Sequence, residues 1–257
     1  MKNRGKKSQI TLFIVLGILV LVGIISLFFL FSKPEFVKQP TKDKDFYNEI
    51  TPCIKKTLEK VLPEYLEKGF YFDPNNKLVY QGKDVSYHCY TSAKKTICTR
   101  NDAQSKTRIE KELKEKILSD VENCFKDFKN SNPSYKIEMG ELNFSIEIVP
   151  KRINLKAKRE IKISKGESEQ IISNFDSYLD SSLWDLIKIS NEILNQESSC
   201  NCPVDSCTAD TIGLMNKYND YAITFFTGSK GDRVYTIKDY YNKTKLNFAV
   251  KNCDKTP

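Results

Sequence analysis

His88 and Cys89 stand side by side in "SYHCYTSAKKTIC", and an imidazole next to a thiol is the raw material of a Cys–His nucleophile. His88 is the sole histidine of the chain. A His-x-x-x-His metal pair therefore lacks its second member, and a Ser–His–acid triad has only this ring to build on. Cys89 and Cys98 bracket β-prone tyrosine, threonine and isoleucine around a polar middle, which predicts a hairpin closed by its own disulfide and leaves no thiolate. His88 then reads as a hairpin side chain with an ordinary histidine pKa. "SAKK", Ser92 to Lys95, matches S-x-x-K but falls in that hairpin's tip without an S-D-N companion, so it reads as a solvated turn. Asp73, Asn75 and Asp84 fit positions 1, 3 and 12 of a calcium loop, yet Lys77 at position 5 and Leu78 where glycine is needed break the pattern. "CNCPVDSC" gathers Cys200, Cys202 and Cys207 as zinc would need, but the spacing is not a doubled C-x-x-C. No catalytic residue, cofactor or metal is expected.

The elements that carry these groups have to be placed first. All eight cysteines follow residue 52, and an even count reads as a disulfide framework in an oxidising compartment. Phe46, Ile50, Cys53, Ile54, Leu58 and Val61 recur at helical spacing, and so do Ile109, Leu113, Ile117, Val121 and Phe128 around Cys124. Cys53 and Cys124 are therefore expected to bridge two helices, while Cys89–Cys98 only pins its hairpin. Cys200, Cys202, Cys207 and Cys253 are left to pair among themselves and tie the end of the chain to its middle.

Ile10 to Phe31 is a run of 22 residues without a charge. As a helix it covers about 33 Å, enough to cross the hydrocarbon core of a bilayer. The bulky "LFFLFSKPEF", which closes the run and leads out of it, is a poor cutting site for an ordinary secretory signal. Lys2, Arg4, Lys6 and Lys7 precede the run, which predicts a cytoplasmic N-terminus and an exterior remainder. Those four residues also supply half of the formal +8 charge. The mild excess that remains argues against nucleic acid as a partner, and the membrane is the expected one.

This predicts residues 1–9 as a cytoplasmic basic start, 10–31 as a transmembrane helix, 32–44 as a stalk and 45–257 as an exterior domain, with candidate lobes at 45–130 and 131–257. Helices are expected at 46–68, interrupted or kinked near Pro52 and Pro63, and at 106–128. Alternation predicts strands through "KLVYQGKDVSYHCY", through "ELNFSIEIVPKRINLKAKREIKI", and in "YAITFF", "RVYTI" and "KLNFAV". Ile171, Phe175, Leu179, Leu183, Leu186, Ile189 and Ile193 predict one long amphipathic helix over Ser168–Gln196, with Trp184 in the core. The fold class is α+β, long helices against mostly antiparallel strands.

"KKSQITLFIVLG" resembles the archaeal class III, type IV pilin-like signal, and "IKISKGES", "DLIKISNEIL" and "KLNFAVKN" resemble a family of uncharacterised archaeal membrane-anchored proteins that share this start. The resemblance implies a place and an architecture, with cleavage between Ser8 and Gln9. It implies no activity. The pilin pattern has a glutamate at the fifth mature position to neutralise a neighbour's new amine, and here that position is Phe13. An unpartnered intramembrane charge is costly, so a retained anchor is favoured over a filament core. Sequons stand at Asn143 ("NFS") and Asn242 ("NKT"). Arg152, Lys156, Lys158 and Lys162 mark a strand face that either docks an acidic partner or is simply solvated. The expectation is a membrane-anchored surface protein that binds or assembles, through a protein partner or with itself. A filament subunit and an envelope hydrolase are the alternatives, and any small-molecule ligand is unknown.

Overall fold

The computed structural model describes residues 20–22, 43–91, 98–199, 208–228 and 231–251. The chain divides into Met1–Lys44 and Asp45–Pro257. In the first unit Val20, Leu21 and Val22 are helical and exposed. The rest of the Ile10–Phe31 run, the Ser8–Gln9 junction, and Cys200, Cys202, Cys207 and Cys253 lie outside the described residues. Among the described residues no helix is long and apolar enough to cross a membrane.

The second unit is α+β. Helix α1, Asp43–Glu67, begins within the segment expected to be stalk and runs through Pro52 and Pro63. Phe46, Ile50, Ile54, Leu58, Tyr65 and Leu66 form its buried stripe. Helix α2, Lys106–Ser131, starts at a Ser105 cap that accepts from Arg108 N. It buries Ile109, Leu113, Ile117, Val121, Cys124, Phe125 and Phe128. Cys53 and Cys124 join the two helices as their apolar spacing predicts, and Phe46 meets Phe128 edge-on at 5.4 Å. Two shorter helices follow, α3 (Leu183–Ser198) and α4 (Thr211–Lys217).

Among the described residues ten strands form two sheets. In the first, β1 (Lys77–Tyr80), β2 (Lys83–Tyr90), β10 (Lys245–Lys251), β9 (Arg233–Asp239) and β8 (Tyr221–Thr227) lie in that order. β3 (Thr99–Arg100) pairs with the end of β2, beside the Cys89–Cys98 bond. Among the described residues only the β2–β10 pair is parallel in this sheet, and it brings together strands from the two ends of the 45–257 segment. In the second sheet β6 (Arg152–Lys165) is central. β7 (Ser168–Asp180) runs along one edge of β6, and β4 (Lys136–Met139) and β5 (Asn143–Val149) share the other. One large cluster of buried side chains spans the helices and both sheets. Trp184 is partly buried against it, with Lys106 Nζ 5.4 Å from its ring centroid.

The single helix expected over Ser168–Gln196 is instead two elements. β7 ends at Asp180, and α3 begins at Leu183. The spacing misled because a four-residue step fits both a helix face and the two-residue period of a strand. β6 decides the matter by offering β7 a partner over its whole length. Pairing shifts register between Lys158↔Asn174 and Ile161↔Ile172, so Ile172 is buried and Ile171 is exposed, the reverse of the helical reading.

Candidate functional site

The structure overturns the reading of His88 as an ordinary hairpin side chain. β2 pairs with β10 at Tyr87↔Ala249 and then at Cys89↔Val250, so His88 is the extra residue of a bulge and is fully buried. Its ring stacks between Phe248, at 4.7 Å, and Phe70, at 5.8 Å. Nε2 lies 2.8 Å from Gly69 O, which can only accept, so Nε2 carries the proton. Nδ1 then accepts from the Gln104 amide at 2.5 Å. Burial pushes the pKa down to about 3, and the positive charge of Arg108 acts in the same direction. The neighbouring Cys89 is bonded to Cys98, both sulfurs lying in the main core rather than at a hairpin rim. Neither group can take part in nucleophilic catalysis.

Among the described residues two adjoining clefts, of about 400 and 310 Å³, share Asp180, Ser181 and Asn242, and a third of about 270 Å³ lies between Arg152, Asn154 and Lys156 of β6 and Asp176, Ser177 and Tyr178 of β7. The larger of the adjoining pair has Leu62, Pro63, Leu66 and Leu179 with Glu59, Glu67, Lys243 and Lys245. The smaller of that pair brings together Asp180, Asp185, Asp220, Asp239, Ser182 and Tyr221, with Lys151. Much of this polarity is spent within the fold. Asp239 accepts from Tyr241 N at 2.8 Å, Asn242 N at 3.2 Å and Asn242 Nδ2 at 3.3 Å, closing the β9–β10 turn. Asp185 accepts from the Tyr221 hydroxyl at 3.2 Å. Burial, reinforced by Asp185, holds that phenol well above its ordinary pKa, so it stays protonated. Among the described residues no group of three or more His, Cys, Asp or Glu is arranged to hold a metal ion.

The face marked by Arg152, Lys156, Lys158 and Lys162 does not form an unbalanced basic patch. Asp180 and Asp176 lie opposite Arg152 and Lys156 on β7. Lys156 Nζ is 2.7 Å from Glu147, Lys162 Nζ is 3.0 Å from Glu169, and Arg152 stacks 5.7 Å from the Tyr178 ring. Asn143 opens β5 opposite Lys158, Asn242 sits in the β9–β10 turn, and both sequon asparagines are exposed.

Three buried carboxylates, Asp232, Asp239 and Glu197, escaped the sequence reading, and Glu197 is the deepest. Glu197 is wholly buried at the end of α3 and accepts from Arg233 and from the Tyr235 hydroxyl, and that hydroxyl in turn accepts from Ala209 N at 3.3 Å. The available signal was its place one turn beyond Ile193 and Leu194 on the apolar face of α3. Comparison with protein-family models, curated proteins and solved structures finds no match to this chain.

Proposed function

We propose that this chain is a single-pass membrane protein with a cytoplasmic N-terminus, whose exterior domain binds or assembles at the cell surface and is not a catalyst. The observation that carries the reading is the pair of disulfides, Cys53–Cys124 and Cys89–Cys98, in a domain that follows an uncharged run with basic residues before it. Cytosolic redox buffers keep such thiols reduced, whereas an exterior compartment oxidises them. The exposed, helical Val20–Val22 segment suits a run that lies against lipid. Archaeal ancestry and a retained anchor are part of the same proposal, the latter because Phe13 stands where a pilin-like core needs an acid.

The acidic cleft is the observation that favours an envelope hydrolase instead. Against it, Asp185 and Asp239 are bound to donors of the fold and the only histidine is sealed in the core. Protease treatment of intact cells tests the proposal. Residues 45–257 should be cut or released while the protein resists alkaline extraction, with residues 1–8 still present by mass. A protein recovered in the soluble fraction with free thiols would defeat the reading.

A further inference from the structure

The free edge of a sheet presents N–H and C=O groups to any second strand, and proteins guard such edges with charge, brevity or cover. Most edges here are guarded. β7 carries Glu169, Asp176 and Asp180. β1 and β4 span only four residues each and hold Lys77, and Lys136 with Glu138. β5 packs beside α2, and Ile148 N donates to Glu110 at 2.7 Å. β8 reads YAITFFT, with no charge and no proline, and among the described strands it pairs only with β9.

The β8–β9 ladder decides which groups of β8 point outward. Gly228 N donates to Asp232 O at 2.7 Å, and pairing continues through Phe226↔Val234 and Thr224↔Thr236. Alternation therefore turns the backbone of Thr224 and Phe226 toward β9, and that of Tyr221, Ile223, Phe225 and Thr227 away from it. Tyr221 N is occupied by Tyr218 O at 3.0 Å, and Ile223 is only 1% exposed, so that end of the edge is closed. The other end is open. Thr224 and Thr227 are exposed, Phe225 is 40% exposed, and Phe226 is 55% exposed with its ring 6.0 Å from that of Tyr80.

We infer that this open end of β8 pairs antiparallel with β8 of a second copy of the chain, about a two-fold axis at Phe226. The inference rests on the surface-assembly reading above and names its partner. An axis at Phe226 sets Phe225 opposite Thr227 of the second copy, so residues with outward N–H and C=O groups face each other on both sides of the axis. Phe226 meets its own counterpart in a non-hydrogen-bonded pair, the position where cross-strand side chains approach most closely. No charge lies in Thr224–Gly228, so self-pairing opposes no like charges. A second copy carries the same uncharged edge on the same length of chain from the same membrane, and this favours it over an unrelated strand. The overlap is short and the contact weak in free solution, but anchoring both copies to one membrane raises their effective concentration.

Full-length Phe226→Cys protein, oxidised in its native membranes, tests the pairing. The expected Cα separation of about 4.5 Å suits a disulfide, so a linked homodimer should accumulate several-fold over that from Ile171→Cys, an equally exposed position on β7. A monomer, equal dimer from both variants, or an adduct with a different protein would overturn the inference. Because the substitution removes one ring, the unmodified chain is also reconstituted in lipid vesicles at rising surface density and its association read by chemical crosslinking. It should pass from monomer to dimer with density, and Thr227→Lys should abolish that shift; a monomer at every density counts against the pairing. Membrane residence is scored in the same preparations, so loss of the pairing and loss of the anchor reading are told apart.

Discussion

Lowering the pH from 7 to 4.5 should weaken this fold through one side chain. His88 is neutral in the folded chain with its pKa pushed down to about 3, while in the unfolded chain it takes the ordinary value near 6.5. Between those values the unfolded state binds a proton that the native state refuses. The stability that His88 contributes is therefore complete above pH 6.5 and is lost as pH falls toward 3. Each pH unit in that window costs about 1.4 kcal/mol, so the drop from 7 to 4.5 removes about 2.7 kcal/mol, with an upper bound of about 5 kcal/mol by pH 3. Glu64, Glu138, Glu147 and Glu192 are held below the usual carboxylate range by lysine partners and add their own acid sensitivity. They do so mainly below the unfolded carboxylate value of about 4.3, which leaves the upper window to the imidazole. Denaturant unfolding at a series of pH values measures the slope. A His88→Phe variant should be less stable at pH 7 yet nearly flat from 7 to 4.5. Because the chain holds one histidine, nitrogen NMR of the folded protein reads the ring directly. It should report the Nε2–H tautomer unchanged down to about pH 4, and a ring that titrates near 6.5 without unfolding would refute the reasoning.

Replacing Cys53 and Cys124 with Ala should cost about 4 kcal/mol, since the bond closes a separation of 71 residues. The same change at Cys89 and Cys98, separated by nine, costs about 2.6 kcal/mol by loop closure, but both sulfurs are also buried, so denaturant midpoints of the two variants should lie closer than loop length alone implies. Glu197→Ala leaves Arg233 in a mostly buried site without its carboxylate and should lower stability by about 3–5 kcal/mol, read by thermal unfolding, whereas Glu197→Gln should cost less by keeping an acceptor for Tyr235. Gly69 has φ +76°, and a Cβ there would lie 2.9 Å from Asn247 O and 3.1 Å from His88 Nε2, so Gly69→Ala should cost about 2 kcal/mol or more and loosen the His88 site, visible as a rise in the imidazole pKa.

The sequence by itself determined the features that depend on local pattern. The α1 and α2 stripes, the alternation that makes β5 and β6, and the thiols of Cys53 and Cys124 on two apolar helix faces each follow from neighbours within a few residues. The uncharged run at Ile10–Phe31 and the basic residues before it are legible in the same way, since both are composition along one segment. Tertiary structure alone decided the rest. Ser168–Asp180 became a strand because β6 supplies a partner along it, which no periodicity within the segment records. His88 lost its basicity because one bulge against β10 turned the ring between Phe70 and Phe248. Glu197 became a buried charge because Arg233 and Tyr235 reach it from β9, 36 and 38 residues along the chain. Which end of β8 stays open depends on Tyr218 closing the other. Each of these outcomes is an electrostatic or pairing energy set by groups far apart in sequence, and such energies exist only once the chain has brought those groups together.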